Sequence, residues 1–170
     1  MNKQPDLILL HPPSIYDFRK RNDILYPYIW NAAVGVSAMY EMPPIGFYHI
    51  KEYLEADNIS VKIYNLASMM LKDWDFNVEK FLGKLKPKIF GIDLHLIIHA
   101  QGSIELAKVV KRTHSDIPIL FVGMTSSYFY KELINYPFID FVIRGNITFQ
   151  PISQLMQHVI KKDTDYSRIA

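Results

Sequence analysis

The chain has 170 residues, 49% hydrophobic and 21% charged, with a formal net charge of +2 and no cysteine. That length suits one domain with a sizeable core. Neither Lys84-Lys86-Lys88 nor Lys108-Lys111-Arg112 supplies the extended basic footprint of a nucleic-acid binder, and without cysteine there is no disulfide, thiolate nucleophile, zinc ribbon or cysteine-ligated iron–sulfur cluster.

Apolar runs such as Leu94–Ile98 are too short to span a bilayer. The first residues, Met1-Asn2-Lys3-Gln4-Pro5-Asp6, lack the apolar core of a signal peptide, so the expectation is a cytoplasmic protein without a membrane segment.

Asp6–His11 is a continuous apolar run closed by Pro12-Pro13, as in a parallel strand buried on both faces. Ser14 to Pro44 is a long connection mixing charges with Tyr16, Phe18, Tyr26, Tyr28, Trp30 and Tyr40. A connection of this length is functional or disordered, and its aromatics argue against simple disorder. Ile29–Met39 reads as a short helix or flap. The aromatic run Tyr26–Tyr40 reads first as extra core over the sheet end, with a lid or an interface as the alternative. Apolar residues at 47, 50 and 54 predict a helix over Ile45–Glu55, with Pro43-Pro44 at its start and Asp57-Asn58 at its end. Ile59–Tyr64 alternates like an edge or half-buried strand, and Phe76–Leu85 reads as a second amphipathic helix.

Lys88–Leu96 is the third predicted strand, followed by a polar loop, His99-Ala100-Gln101-Gly102, and a helix over Ser103–Thr113 capped by Ser103. Ile117–Val122 is a fourth strand, broken by Gly123 and followed by polar Thr125-Ser126-Ser127 and a helix over Tyr128–Asn135. Asp140–Arg144 is a fifth strand ending at Gly145. Thr148 is placed to cap a last helix, Phe149–Ile160, and the tail Lys161–Ala170 is expected to fray.

Five strand–helix units predict an α/β fold: a three-layer, Rossmann-like (flavodoxin-like) parallel sheet in the order 2-1-3-4-5 with helices on both faces. Residues 1–160 form a single domain in this reading, with 14–44 as its flap. Ligands of such sheets bind outside the carboxyl ends of the strands. Those ends carry His11–Ser14, His99–Ser103, Gly123–Ser127 and Gly145–Thr148, a polar, glycine-rich group without paired carboxylates. The dinucleotide and P-loop glycine patterns are absent, as is Gly-x-Ser-x-Gly, and His11-Pro12-Pro13 stands where an acidic phosphoacceptor pocket would need carboxylates. The six histidines show no helical metal-ligand spacing. The strand ends read as holding a ligand, not transforming one.

Strand 1 with Pro12-Pro13, and Pro43-Pro44-Ile45-Gly46 opening the first helix, resemble the N-terminal cobalamin (B12)-binding-like domain of B12-dependent radical SAM proteins. Gly91-Ile92-Asp93-Leu94-His95 with His99–Ser103, Gly123-Met124-Thr125-Ser126-Ser127 and Asp140–Gly145 are similar to further segments of that family, so the likeness runs from Asp6 to about Gln157. It departs from the family pattern where Val122 replaces a glycine, where Gly145-Asn146-Ile147-Thr148 lacks two acidic positions, and where Leu96 replaces an aromatic.

The resemblance implies a corrinoid-binding module that holds cobalamin over the strand ends and performs no catalysis alone. The iron–sulfur cluster and S-adenosylmethionine would belong to a C-terminal radical SAM domain of a longer parent enzyme. The implied cofactor-binding residues are His11, Pro12, Pro13, Ser14, His99, Gln101, Gly102, Ser103, Gly123, Thr125, Ser126 and Gly145. Asp93-x-His95 is similar to the cobalt-ligating Asp-x-His-x-x-Gly of methionine-synthase-like domains, but Ile98 occupies the glycine position and the strand is the third, not the first. His95 therefore reads as a strand-core residue and His99 as the better placed; ligation of cobalt by either is the minor alternative, and the principal reading has no metal ligand. The competing function is a degenerate flavodoxin-like scaffold for protein interaction without cofactor, with Gln101, Gly102, Ser103, Thr125 and Ser126 serving only in turns and caps.

Overall fold

The computed structural model describes residues 4–20, 43–145 and 148–166. The expected flap over Ile29–Met39 lies outside these residues, as do Asn146 and Ile147. Five parallel strands form one sheet in the order β2-β1-β3-β4-β5, as predicted: β1 (Leu7–His11), β2 (Val61–Asn65), β3 (Ile89–Asp93), β4 (Ile119–Val122) and β5 (Phe141–Val142). Around them lie α1 (Ile45–Ala56), α2 (Leu66–Lys72), α3 (Val78–Leu82), α4 (Ala100–Thr113), α5 (Met124–Tyr128), α6 (Tyr130–Leu133) and α7 (Phe149–Lys161).

Strand alternation divides the core in two. Leu7 and Leu9 of β1, Ile89 of β3, and Leu120 and Val122 of β4 face Phe47, Ile50 and Leu54 of α1 and Ile152, Leu155 and Met156 of α7. Ile8, Leu10, Phe90, Ile92, Ile119 and Phe121 face the other way, onto α2, α3, α4 and α6 through residues such as Met70, Leu82, Leu106 and Leu133. All five residues of β1 and of β3 are buried, which explains why the central strands read as continuous apolar runs. At Gly91 a Cβ would lie 2.6 Å from a Leu9 methyl, so the Leu9 side chain packs into the space the glycine leaves.

Several boundaries differ from expectation. α2 was not foreseen; it forms because the Asn65 side chain accepts from the Ser68 N–H at 2.8 Å, capping a helix directly off β2. The predicted helix over 76–85 contracts to α3, started by Asn77 accepting from Lys80 N–H at 2.8 Å. The helix predicted over 128–135 is instead α5 and α6, so Thr125, Ser126 and Ser127 are helical. Thr148 precedes α7 without a side-chain cap. Beyond Lys161 the chain stays docked as far as Tyr166, whose ring meets Phe141 edge-on at 5.0 Å.

The start of the 14–44 connection is anchored. Arg19 donates to the carbonyls of Trp74 (2.9 Å) and Phe76 (2.8 Å) and pairs with Asp17. Burial raises the Asp17 carboxyl, but the Arg19 hydrogen bonds and charge outweigh it and hold the group below its ordinary value. Burial, reinforced by Asp17, pushes the neighbouring Tyr16 phenol up to about 12.

Candidate functional site

At the switch point between β1 and β3 the structure is closed. The His11 Nδ1 and Asp93 Oδ2 atoms lie 2.9 Å apart with both residues 1% exposed, and the His99 ring packs edge-on to His11 at 5.0 Å. β3 stops at Asp93, whose other carboxylate oxygen accepts the His95 N–H at 3.0 Å and turns the chain out of the ladder. The Ser103 hydroxyl donates to the Asp93 carbonyl at 2.6 Å. Gly102 N–H donates to Ser14 O at 3.2 Å, and a Cβ on Gly102 would fall 1.8 Å from the Pro13 oxygen. Gln101 brackets Tyr16, accepting from its N–H at 2.8 Å and donating to its carbonyl at 3.0 Å.

His11, Pro12, Pro13, Ser14, His99, Gln101, Gly102 and Ser103 are thus brought together, but as a packed junction. α4 begins at Ala100, three residues earlier than predicted, so the expected polar loop is its first turn and Ser103 is inside the helix, not its cap. Buried polar side chains need partners, and here Asp93, Ser103 and His11 Nδ1 find them in one another and in the backbone, whereas His11 Nε2 is buried without one among the described residues.

The open space lies on the α1–α7 side. A cavity of about 490 Å³ sits at the ends of β3 and β4, within the range of small-molecule sites. Asp93 and Val122 contribute from the strand ends, Pro44–Phe47 and Ile50 from the start of α1, and Thr148 and Phe149 from the start of α7. His95, Gly123, Met124 and Gly145 complete the lining among the described residues.

Two loops make the rim by locking together. Gly123 has φ 123° and ψ 172°, a conformation reserved for glycine, and a Cβ there would lie 2.7 Å from Leu94 C and O and from His95 N. The His95 carbonyl accepts from Thr125 N–H (3.3 Å) and from the Thr125 hydroxyl (3.0 Å). Ser126, fully buried, donates to the Gly123 carbonyl at 2.8 Å, and Ser127 Oγ accepts the Gly145 N–H at 2.7 Å. Thr125 and Ser126 therefore hold the rim and do not line the cavity.

His95 corrects the sequence expectation. It lies two residues beyond β3, exposed, with its backbone held by Asp93 and Thr125, and its imidazole makes no hydrogen bond among the described residues. His99, expected in an open loop, is 2% exposed and lines no part of the cavity. Of the twelve expected binding residues only Gly123 and Gly145 line it. Ile45, Phe47, Ile50, Val122, Met124 and Phe149 were missed because apolar residues at helical or strand spacing read as core; the signal that could have found the α1 part is Pro43-Pro44-Ile45-Gly46. Among the described residues no His, Cys, Asp or Glu cluster is arranged to hold a metal ion, and no helix is long and apolar enough to cross a membrane.

A family model described as B12 binding domain matches residues 31–148. Two solved structures of a radical S-adenosylmethionine methyltransferase, TsrM from Kitasatospora setae, superpose with a TM-score of 0.66 at 16% identity. One has cobalamin and a 4Fe-4S cluster bound; the match covers 97% of this chain and 26% of that one. The other has tryptophan substrate and an analog of SAM bound, with 96% and 27% covered. The chain thus spans about a quarter of these neighbours, and at this identity the likeness concerns the fold. No curated protein matches it in sequence.

Proposed function

The chain belongs to the B12-binding domain family, and from that premise we propose that it holds cobalamin over the carboxyl ends of β3, β4 and β5. The observation that carries this reading is the cavity between the strand ends and the first turns of α1 and α7, the place where ligands of such sheets bind. At about 490 Å³ it is too small for a whole corrinoid but ample for the flat base at the end of a nucleotide tail. The residues present fit that division. The floor offers Phe47, Ile50 and Val122, each under 5% exposed, for the base. Among the described residues nothing lies within 4 Å of where a Cβ on Gly145 would be, which leaves this part of the rim open to a wide macrocycle.

His95, Gly123, Gly145 and Thr148 are then contact residues. The buried group around His11, Asp93, Gly102 and Ser103 positions them. Bound cobalamin supplies an alkyl-accepting cobalt centre; residues of this chain bind and orient it. Residues 1–160 form one module in this proposal, and its partner is a radical SAM domain carrying the cluster-ligating cysteines that this sequence lacks.

Hydroxocobalamin added to the purified chain should co-elute with it on gel filtration, with a changed visible spectrum, at micromolar concentrations. If the corrin separates from the protein at those concentrations, cofactor binding by this chain is refuted. A protein-interaction scaffold is then the surviving reading, supported by the exposed Met124 (56%), Tyr128 (79%) and Phe129 (38%) beside the cavity.

A further inference from the structure

We infer that the outer face of α1 is a self-association surface, and that the partner it fits is a second copy of this chain packed antiparallel across a twofold axis at the middle of the helix. That face lies apart from the cavity, so the cobalamin reading is not a premise. The inner face of α1 builds the core through Phe47, Ile50 and Leu54, each under 5% exposed. A surface helix of a globular domain needs only one such stripe, and α1 carries a second. Ile45, Tyr48, His49, Glu52, Tyr53 and Ala56 follow the spacing i, i+3, i+4, i+7, i+8, i+11 along the opposite side. All six are exposed, Ile45 by 73%, Tyr48 by 54% and Tyr53 by 43%. Phe149 widens this face from α7, stacked on Tyr53 at 5.7 Å and edge-on to His49 at 6.5 Å.

The order of residues along the stripe points to the occupant. In a twofold contact residue i meets residue j of the copy, and j meets i. With the axis midway between Ile50 and Lys51, Ile45 falls opposite Ala56 of the second copy, Tyr48 opposite its Tyr53, and His49 opposite its Glu52. Each match is complementary: a branched side chain over a methyl, one aromatic ring against another, and an imidazole N–H facing a carboxylate. Sliding the register by one residue sets Tyr48 against Leu54, or Tyr53 against Phe47, side chains already turned into their own core. The register is therefore specified by the stripe itself. α1 has 12 residues and is about 18 Å long, so the contact is smaller than the about 800 Å² per partner of a standard interface. The association is accordingly weak, with a Kd on the order of 10–100 µM. Ile45 also lines the cavity, so in the dimer each mouth borders the end of the other α1.

Sedimentation velocity of the purified chain, without cofactor, from about 5 to about 500 µM brackets that constant. The weight-average mass should climb from 19.9 kDa toward twice that value. His49→Glu sets carboxylates against each other at both symmetry-related contacts and should weaken association about tenfold or more. Adding Glu52→Lys restores opposite charges in the same register and should recover association to within a few-fold of the native chain. Both positions are exposed, and an unchanged urea midpoint shows that the variants fold. A mass of 19.9 kDa at every concentration overturns the inference and leaves the cofactor reading untouched. Association that His49→Glu leaves unchanged, or that the double variant fails to recover, also overturns it, because either result places the contact elsewhere.

Discussion

Substituting Gly102 by alanine tests the claim that the β1–β3 switch point is a packed junction and not an open ligand crevice. The added methyl carbon would lie 1.8 Å from the Pro13 oxygen, 3.0 Å from its carbonyl carbon and 3.2 Å from that of Ser14. All three atoms are backbone, so no rotamer change relieves the clash, and α4 must move more than 1 Å from the β1 exit. That movement breaks the Gly102 N–H to Ser14 O bond and disturbs the buried His11–Asp93–His99 packing behind it. Overpacking costs about 1–3 kcal/mol and the lost hydrogen bond about 1 kcal/mol. Against this, alanine is favoured over glycine within a helix by up to about 1 kcal/mol. The balance is a destabilisation of about 1–3 kcal/mol, or a fall in Tm of about 3–10 °C for a domain of this size. Gly46 provides the matched control. It is also in a first helical turn, but a Cβ there meets nothing within 4 Å among the described residues, so Gly46→Ala should be neutral or stabilise by up to about 1 kcal/mol. Urea unfolding with unchanged m measures both. If Gly102→Ala is as stable as the native chain while Gly46→Ala behaves as stated, the junction is not closed and the reasoning fails.

Two further outcomes follow from the same geometry. His95→Ala should leave stability within about 0.5 kcal/mol and weaken hydroxocobalamin retention, whereas His99→Ala should cost about 1–3 kcal/mol and spare binding in the folded fraction; the reverse pattern in thermal melts and gel filtration would restore His99 as the contact residue. Burial raises the Asp6 carboxyl, yet hydrogen bonds from the Ser60 hydroxyl and N–H, with Lys88 at 3.3 Å, hold it below its ordinary value. A depressed carboxyl contributes stability above its unfolded pKa of about 4 and loses it as pH falls through the folded value. Stability should therefore decline below about pH 4; Asp6→Asn should flatten that acid limb in urea titrations, and an undiminished decline would refute the assignment.

The sequence alone determined the five strands and their order in the sheet, though not α2 or the division into α5 and α6, because strand burial and helix amphipathicity are local periodicities that survive in one dimension. The run Leu7-Ile8-Leu9-Leu10, closed by Pro12-Pro13, reads as a doubly covered strand, and 47, 50 and 54 share one helix face. Motifs at Pro12-Pro13, Pro43–Gly46, Gly123–Ser127 and Asp140–Gly145 were enough to indicate the corrinoid-binding family. The site was not legible in the same way. His99, Ser103, Thr125 and Ser126 are the polar residues that a reader of sequence assigns to a ligand, yet each is spent on closing a junction or a rim. Whether a buried polar group faces a ligand or a neighbouring backbone depends on which other loops arrive beside it. Only the tertiary structure decided that β3 ends at Asp93, that His95 emerges at the mouth, and that the cavity opens between α1 and α7. That cavity is the space left where two helix starts diverge from the strand ends, and no single segment of the chain encodes it.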